Sequence, residues 1–109
     1  MRRGDLYRVR RPSGDPKPAR CFVVVSRQAL IDSKFSTVVC APIFSEHQGL
    51  STQVAVGLAE GLKHESAVQG DGLMSIEKLR LTDYVGSLGP TKLQEVDRAL
   101  RVALALTSQ

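Results

Sequence analysis

The chain has 109 residues, 42% hydrophobic and 24% charged, which suits one soluble globular domain over 1–109 and argues against intrinsic disorder. Its longest apolar runs, Cys21 to Val25 and Val102 to Leu106, are too short to span a bilayer. The net charge of +4 is uneven: residues 1–20 hold seven basic and two acidic side chains, and the rest of the chain holds eight and nine.

The positive excess therefore belongs to the N-terminal segment. A polyanion-binding face has that composition, and so does a solvated, soluble edge. With three Phe, two Tyr and no Trp, extended base stacking has little to draw on. Met1-Arg2-Arg3 resembles the basic end of a signal peptide, but Gly4-Asp5 follows where an apolar stretch would begin. A cytoplasmic protein is expected. Cys21 and Cys40 are too few for a disulfide scaffold and lack metal-ligand spacing, so they read as buried thiols.

Leu6 to Arg10 alternates after Leu6, as a half-buried strand does. Arg11 to Ala19 holds three prolines and a glycine and reads as a loop. Cys21 to Val25 and Thr37 to Ala41 are β-branched runs suited to strands buried on both faces, the second ended by Pro42. A short helical turn is expected between them, within Gln28 to Lys34. Residues 45–52 read as a polar loop, and Gln53 to Val56, Ser66 to Gln69, Gly72 to Ser75 and Leu81 to Leu88 as strands. Gly89-Pro90 opens a helix with proline in its first turn. Leu93, Val96, Leu100, Ala103 and Leu106 then recur at three- and four-residue intervals along one face. The pattern predicts a mainly β fold, a small β-barrel or strongly bent antiparallel sheet, packed by one C-terminal α-helix.

No glycine-rich phosphate loop, nucleophile elbow, zinc-protease motif or cysteine cluster occurs in the sequence. No cofactor or metal is expected. His47 and His64 sit in polar contexts and read as solvated histidines rather than ligands or bases. Arg20 ends the basic loop at the start of a central strand, Ser45 follows the other central strand, and Asp71 lies in a Gly70-Asp71-Gly72 bend. If the two strands are neighbours, guanidinium, hydroxyl and carboxylate border one concave surface, a set suited to a phosphodiester. A strand-end surface arginine remains the plain alternative for Arg20.

These residues resemble the MazF/PemK/Kid toxin family. The likeness runs through Arg3-Gly4-Asp5-Leu6-Tyr7, Arg20 before Val23-Val24-Val25-Ser26, and Thr37-Val38-Val39 leading to Pro42-Ile43-Phe44-Ser45. It continues through Glu65-Ser66, Asp71, Lys78-Leu79-Arg80-Leu81, Val85-Gly86-Ser87-Leu88 and Leu93 to Leu100. The resemblance implies a homodimeric, metal-independent endoribonuclease that cuts single-stranded RNA at short sequences and is silenced by a cognate antitoxin. In that family the 2′-hydroxyl attacks the adjacent phosphate and leaves a 2′,3′-cyclic phosphate. By the same resemblance Arg20 is the catalytic arginine. Ser45 then supplies the hydroxyl, because Phe44 stands where a threonine is common. Arg10, Arg11, Lys17, Phe44, Gln69 and Asp71 are the expected RNA contacts. The family's Cys-Asp-Gln-x-Arg run appears as Gly70-Asp71-Gly72-Leu73-Met74, Gln69 stands where some members place a second arginine, and the first loop has no histidine. Two other readings stay open on sequence: a catalytically weak RNA-binding or regulatory module on the same fold, and a gyrase poison of the CcdB type.

Overall fold

A computed structural model describes residues 1–10 and 19–106. The expected proline-rich loop, and with it the candidate RNA contacts Arg11 and Lys17, falls outside the described residues. Among the described residues the strands are β1 (Asp5–Val9), β2 (Arg20–Val24), β3 (Thr37–Phe44), β4 (Gln53–Val56), β5 (Ser66–Gln69), β6 (Met74–Glu77) and β7 (Asp83–Ser87). The one-turn helix α1 (Gln28–Ile31) joins β2 to β3, and α2 (Pro90–Ala103) follows β7. Every pairing is antiparallel, in the order β4-β5-β3-β2-β1-β7, with β6 on the same edge of β3 as β5. The sheet curls into a half-barrel.

The unbroken apolar runs in β2 and β3 follow from burial on both sheet faces. Val23, Ala41 and Ile43 join Leu6, Val54, Val68, Val96 and Ala99 in one core cluster. Phe22, Val24, Val38 and Cys40 join Tyr7, Val9, Ile31, Ile76 and Leu81 in another. Neighbours in sequence thus point to opposite cores, so neither face has polar positions to break the run. Helix α2 covers the first cluster, packing on β4 and on the turn at Gly70–Gly72. Its expected face is real through Val96, which is buried, and Leu93 and Leu100, which pack against that core; Ala99, outside the expected set, is buried beside them. Leu106 departs from it: the helix ends at Ala103, and Leu106 is exposed.

Several boundaries differ from the sequence reading. β3 runs three residues past Ala41 and contains Pro42 rather than ending at it. The second edge of β3 pairs with β6 up to Cys40 and with β5 from Ile43 onward. Pro42 stands where the partner changes, so no ladder bond needs its missing N–H. β6 begins at Met74 because Gly70–Gly72 closes a 3₁₀ turn instead of extending.

Candidate functional site

Three strand ends meet at one end of the sheet: the C-terminus of β1, the N-terminus of β2 and the C-terminus of β3. The register pairs Val9 with Arg20 and Phe22 with Pro42. Continuing the second pairing by two places sets Arg20 opposite Phe44, and the guanidinium carbon lies 4.1 Å from the Phe44 ring centroid. Stacking of this kind contributes about 0.5–1 kcal/mol at an exposed site and fixes the plane of the guanidinium. The sequence placed both residues near the site; their contact follows from strand register, which no local pattern reveals.

Arg20 and Phe44 form a ridge between two clefts. The first, about 610 Å³, is lined by Arg8, Cys21, Ile43 and Ser45 from the sheet end, by Glu46, and by the Leu62–His64 segment with Ser66. The second, about 420 Å³, has a floor of Val9, Phe22, Pro42 and Ile76 and carries Arg10, Gly72, Met74 and Arg80. Strand alternation accounts for the division: Cys21 and Ile43 face one side of the sheet, Phe22 and Pro42 the other. Glycine at position 72 keeps the second cleft open, since a Cβ there would lie 2.9 Å from the Pro42 Cγ.

The expected site residues divide accordingly. Arg20, Phe44 and Ser45 line the first cleft together. Arg10 lines the second, where its carbonyl oxygen accepts a 3.4 Å hydrogen bond from Arg80 Nη2. Gln69 and Asp71 line neither cleft. Gln69 pairs with Gln53 across β5 and β4, and Asp71 accepts a 2.7 Å hydrogen bond from the Thr52 hydroxyl. The carboxylate beside Arg20 and Ser45 is Glu46 instead. Arg8, Lys63 and Arg80 also line the clefts and were not singled out from the sequence, and His64, read there as a solvated histidine rather than a ligand or base, lines the first. Lys63 and His64 reach the site only through the fold, because β5 returns them alongside the end of β3. His64 is exposed, as its polar context implied, but within the cleft.

The electrostatics are one-sided. Among the described residues, Arg8, Arg10, Arg20, Lys63 and Arg80 surround the clefts, against the single carboxylate of Glu46. Arg8 is partly offset by Asp83 at 3.6 Å, an exposed pair of little energetic weight. Such a concave, cationic surface attracts a polyanion. Of the thiols, Cys40 is fully buried, and burial pushes its pKa from 9.0 up to about 12. Cys21 is only half-buried and forms part of the first cleft wall, so the expectation of two buried thiols holds for Cys40 alone. Among the described residues no three His, Cys, Asp or Glu side chains are arranged to hold a metal ion. Nor is any helix among them long and apolar enough to cross a membrane.

A curled antiparallel sheet closed by a terminal helix carries, at its strand ends, an arginine-centred cationic cleft whose charge suits a polyanion. The chain belongs to the PemK-like, MazF-like toxins of type II toxin-antitoxin systems, whose family profile matches residues 2–104. It is similar to an endoribonuclease in complex with its cognate antitoxin from a mycobacterial species, at 27% identity and TM-score 0.84, over 100% of this chain and 99% of that one. An endoribonuclease from a mycobacterial species matches at 26% identity and TM-score 0.81, over 100% and 95%. The Mycobacterium tuberculosis toxin MazF-mt6 shares the fold at 23% identity and TM-score 0.81, over 95% and 99%.

Proposed function

We propose that this single-domain chain is a cytoplasmic, metal-independent endoribonuclease toxin that cuts single-stranded RNA at selected sequences. The observation that carries the reading is Arg20, fixed on Phe44 in a cationic cleft beside the Ser45 hydroxyl. Family membership and the two mycobacterial endoribonucleases support it.

In this mechanism the 2′-hydroxyl of the bound RNA attacks its own phosphorus, and the bond to the 5′-oxygen breaks. The products are a 2′,3′-cyclic phosphate and a free 5′-hydroxyl. The substrate supplies its own nucleophile, so the protein has to position the chain, move protons and stabilise charge. A guanidinium keeps its proton in proteins and is a poor base, so Arg20 is not the proton acceptor. Its forked donors instead bind the non-bridging oxygens, where negative charge grows in the pentacovalent transition state. Ser45 donates a hydrogen bond to the same phosphate. Arg10 draws the neighbouring phosphates along the second cleft, and Arg11 and Lys17 are carried as RNA contacts on the family likeness alone. Phe44 uses one ring face for Arg20 and leaves the other for a base, a contact worth about 1–3 kcal/mol. Gln69 and Asp71 reach RNA only beyond the clefts.

The working unit is a homodimer, which doubles the basic N-terminal segment, and its partner is a cognate antitoxin. An acidic, disordered antitoxin tail fits the cationic clefts and would silence the enzyme by occupying them. Incubation of the purified protein with a long single-stranded RNA in EDTA tests the proposal. Discrete cuts ending in 2′,3′-cyclic phosphate support it. A folded protein that leaves the RNA intact at equimolar ratio overturns it and returns the RNA-binding module and the gyrase poison to consideration.

A further inference from the structure

Cleavage by this route takes a proton from the 2′-oxygen and gives one to the departing 5′-oxygen, and neither Arg20 nor Ser45 accepts a proton readily near neutral pH. The first cleft brings few other groups to the reacting phosphate. Arg8 and Lys63 are cations, Ser66 carries a hydroxyl and Cys21 a thiol, leaving the Glu46 carboxylate and the His64 imidazole as the acceptors among the described residues. Imidazole is the side chain that ordinarily exchanges protons around neutrality, and a carboxylate ordinarily holds a proton too weakly to compete.

Position supports the imidazole. Leu62, two residues before His64, is anchored in the first core cluster. Ser66, two residues after, begins β5 and donates a 3.1 Å hydrogen bond from its hydroxyl to the His64 carbonyl oxygen. The backbone carrying the imidazole is thus pinned on both sides while the ring stays open to the cleft. The charges that line the cleft with it are Arg8 from β1, Arg20 from β2, Lys63 from its own segment and Glu46 from the loop after β3, while the Glu65 carboxylate lies against Gly57. Among the described residues of the cleft, three cations stand against one carboxylate.

We propose that His64 is the general base that removes the proton from the attacking 2′-hydroxyl, a role that rests on the endoribonuclease reading of the same cleft. As the bond from O2′ to phosphorus forms, the hydroxyl proton passes to an imidazole nitrogen. The bond from phosphorus to O5′ breaks, and O5′ takes a proton from a water in the open cleft. The imidazolium then returns its proton to solvent, which leaves the enzyme unchanged.

The test is the pH dependence of kcat/KM on a short RNA in EDTA, for the wild-type chain, His64→Gln and Glu46→Gln. Both side chains are exposed, so both variants should keep the native circular dichroism spectrum. The wild-type rate should rise with pH through the imidazole range. His64→Gln should be at least about 100-fold slower at neutral pH and lose that rise, and Glu46→Gln should retain it. A ribonucleoside 3′-(4-nitrophenyl phosphate), whose leaving group needs no proton, should leave the His64→Gln defect in place. Rescue by that substrate, or an unchanged pH profile in His64→Gln, overturns the role while leaving the endoribonuclease reading intact. A wild-type chain that cuts no RNA overturns the reading and the role together.

Discussion

The wall that carries Lys63 and His64 is held by a close contact between two glycines, and its strength can be worked out from the structure. A Cβ on Gly61 would run into the Val85 carbonyl oxygen, and one on Gly86 into the Glu60 carbonyl oxygen. Gly61 also has a φ of +97°, whereas Gly49, at +74°, has nothing within 4 Å of its would-be Cβ. Three alanine variants therefore separate two costs. Gly49→Ala carries the left-handed backbone penalty alone, about 1–2 kcal/mol. Gly86→Ala carries the overpacking penalty alone, about 1–3 kcal/mol. Gly61→Ala carries both, about 2–5 kcal/mol, a large part of the roughly 5–15 kcal/mol that holds a small domain together. Thermal unfolding should place Gly61→Ala at least about 8 °C below wild type, with the other two between. Because Leu62 to His64 follow directly, Gly61→Ala should also slow cleavage at temperatures where it remains folded. A Gly61→Ala protein no less stable than Gly49→Ala would refute the close-packing argument.

Ser45→Ala should lower RNA cleavage about 10-fold or more with little change in stability, since Ser45 is exposed; unchanged turnover would remove its hydroxyl from the mechanism. Arg10→Ala should weaken RNA binding across sequences and flatten the salt dependence by about 0.7 in the log–log slope; an unchanged slope in a filter-binding titration would place Arg10 off the phosphate path. Cys40 predicts alkaline lability. Its thiol ionises at 9.0 when unfolded and at about 12 in the fold, so the folded chain holds the extra proton between those values. That contribution is complete below pH 9 and is lost as pH rises toward 12. Denaturation midpoints from pH 7 to 10.5 should therefore fall less steeply for Cys40→Ala, and equal slopes would count against the burial argument.

The sequence showed most clearly what local periodicity encodes. The β-branched runs became β2 and β3, and the three- and four-residue spacing became α2, because each pattern reflects one element meeting a core. Pro42 misled because its tolerance depends on what lies at the far edge of β3, where the change from β6 to β5 leaves its nitrogen unneeded. At the site, Arg20, Phe44 and Ser45 were legible through strand ends and family likeness. Glu46, Lys63, His64 and Arg80 were not, because they converge only when the sheet curls and β5 returns beside β3. Asp71 shows the converse: it has the right chemistry in a plausible bend, yet it bonds to Thr52 and lines neither cleft.

Arg20 gives the most direct test of the central claim. Single-turnover cleavage of one RNA should be compared in EDTA for wild type and Arg20→Ala, with RNA affinity measured alongside. Removing a donor to the transition-state charge should cost at least about 100-fold in rate, while Arg8, Arg10, Lys63 and Arg80 keep most of the binding. Cyclic-phosphate ends from wild type, with almost no cutting by a folded, RNA-bound Arg20→Ala protein, is the predicted result. Equal cleavage by the two proteins would contradict the account, because the reaction would then lie outside the cleft that Arg20 defines.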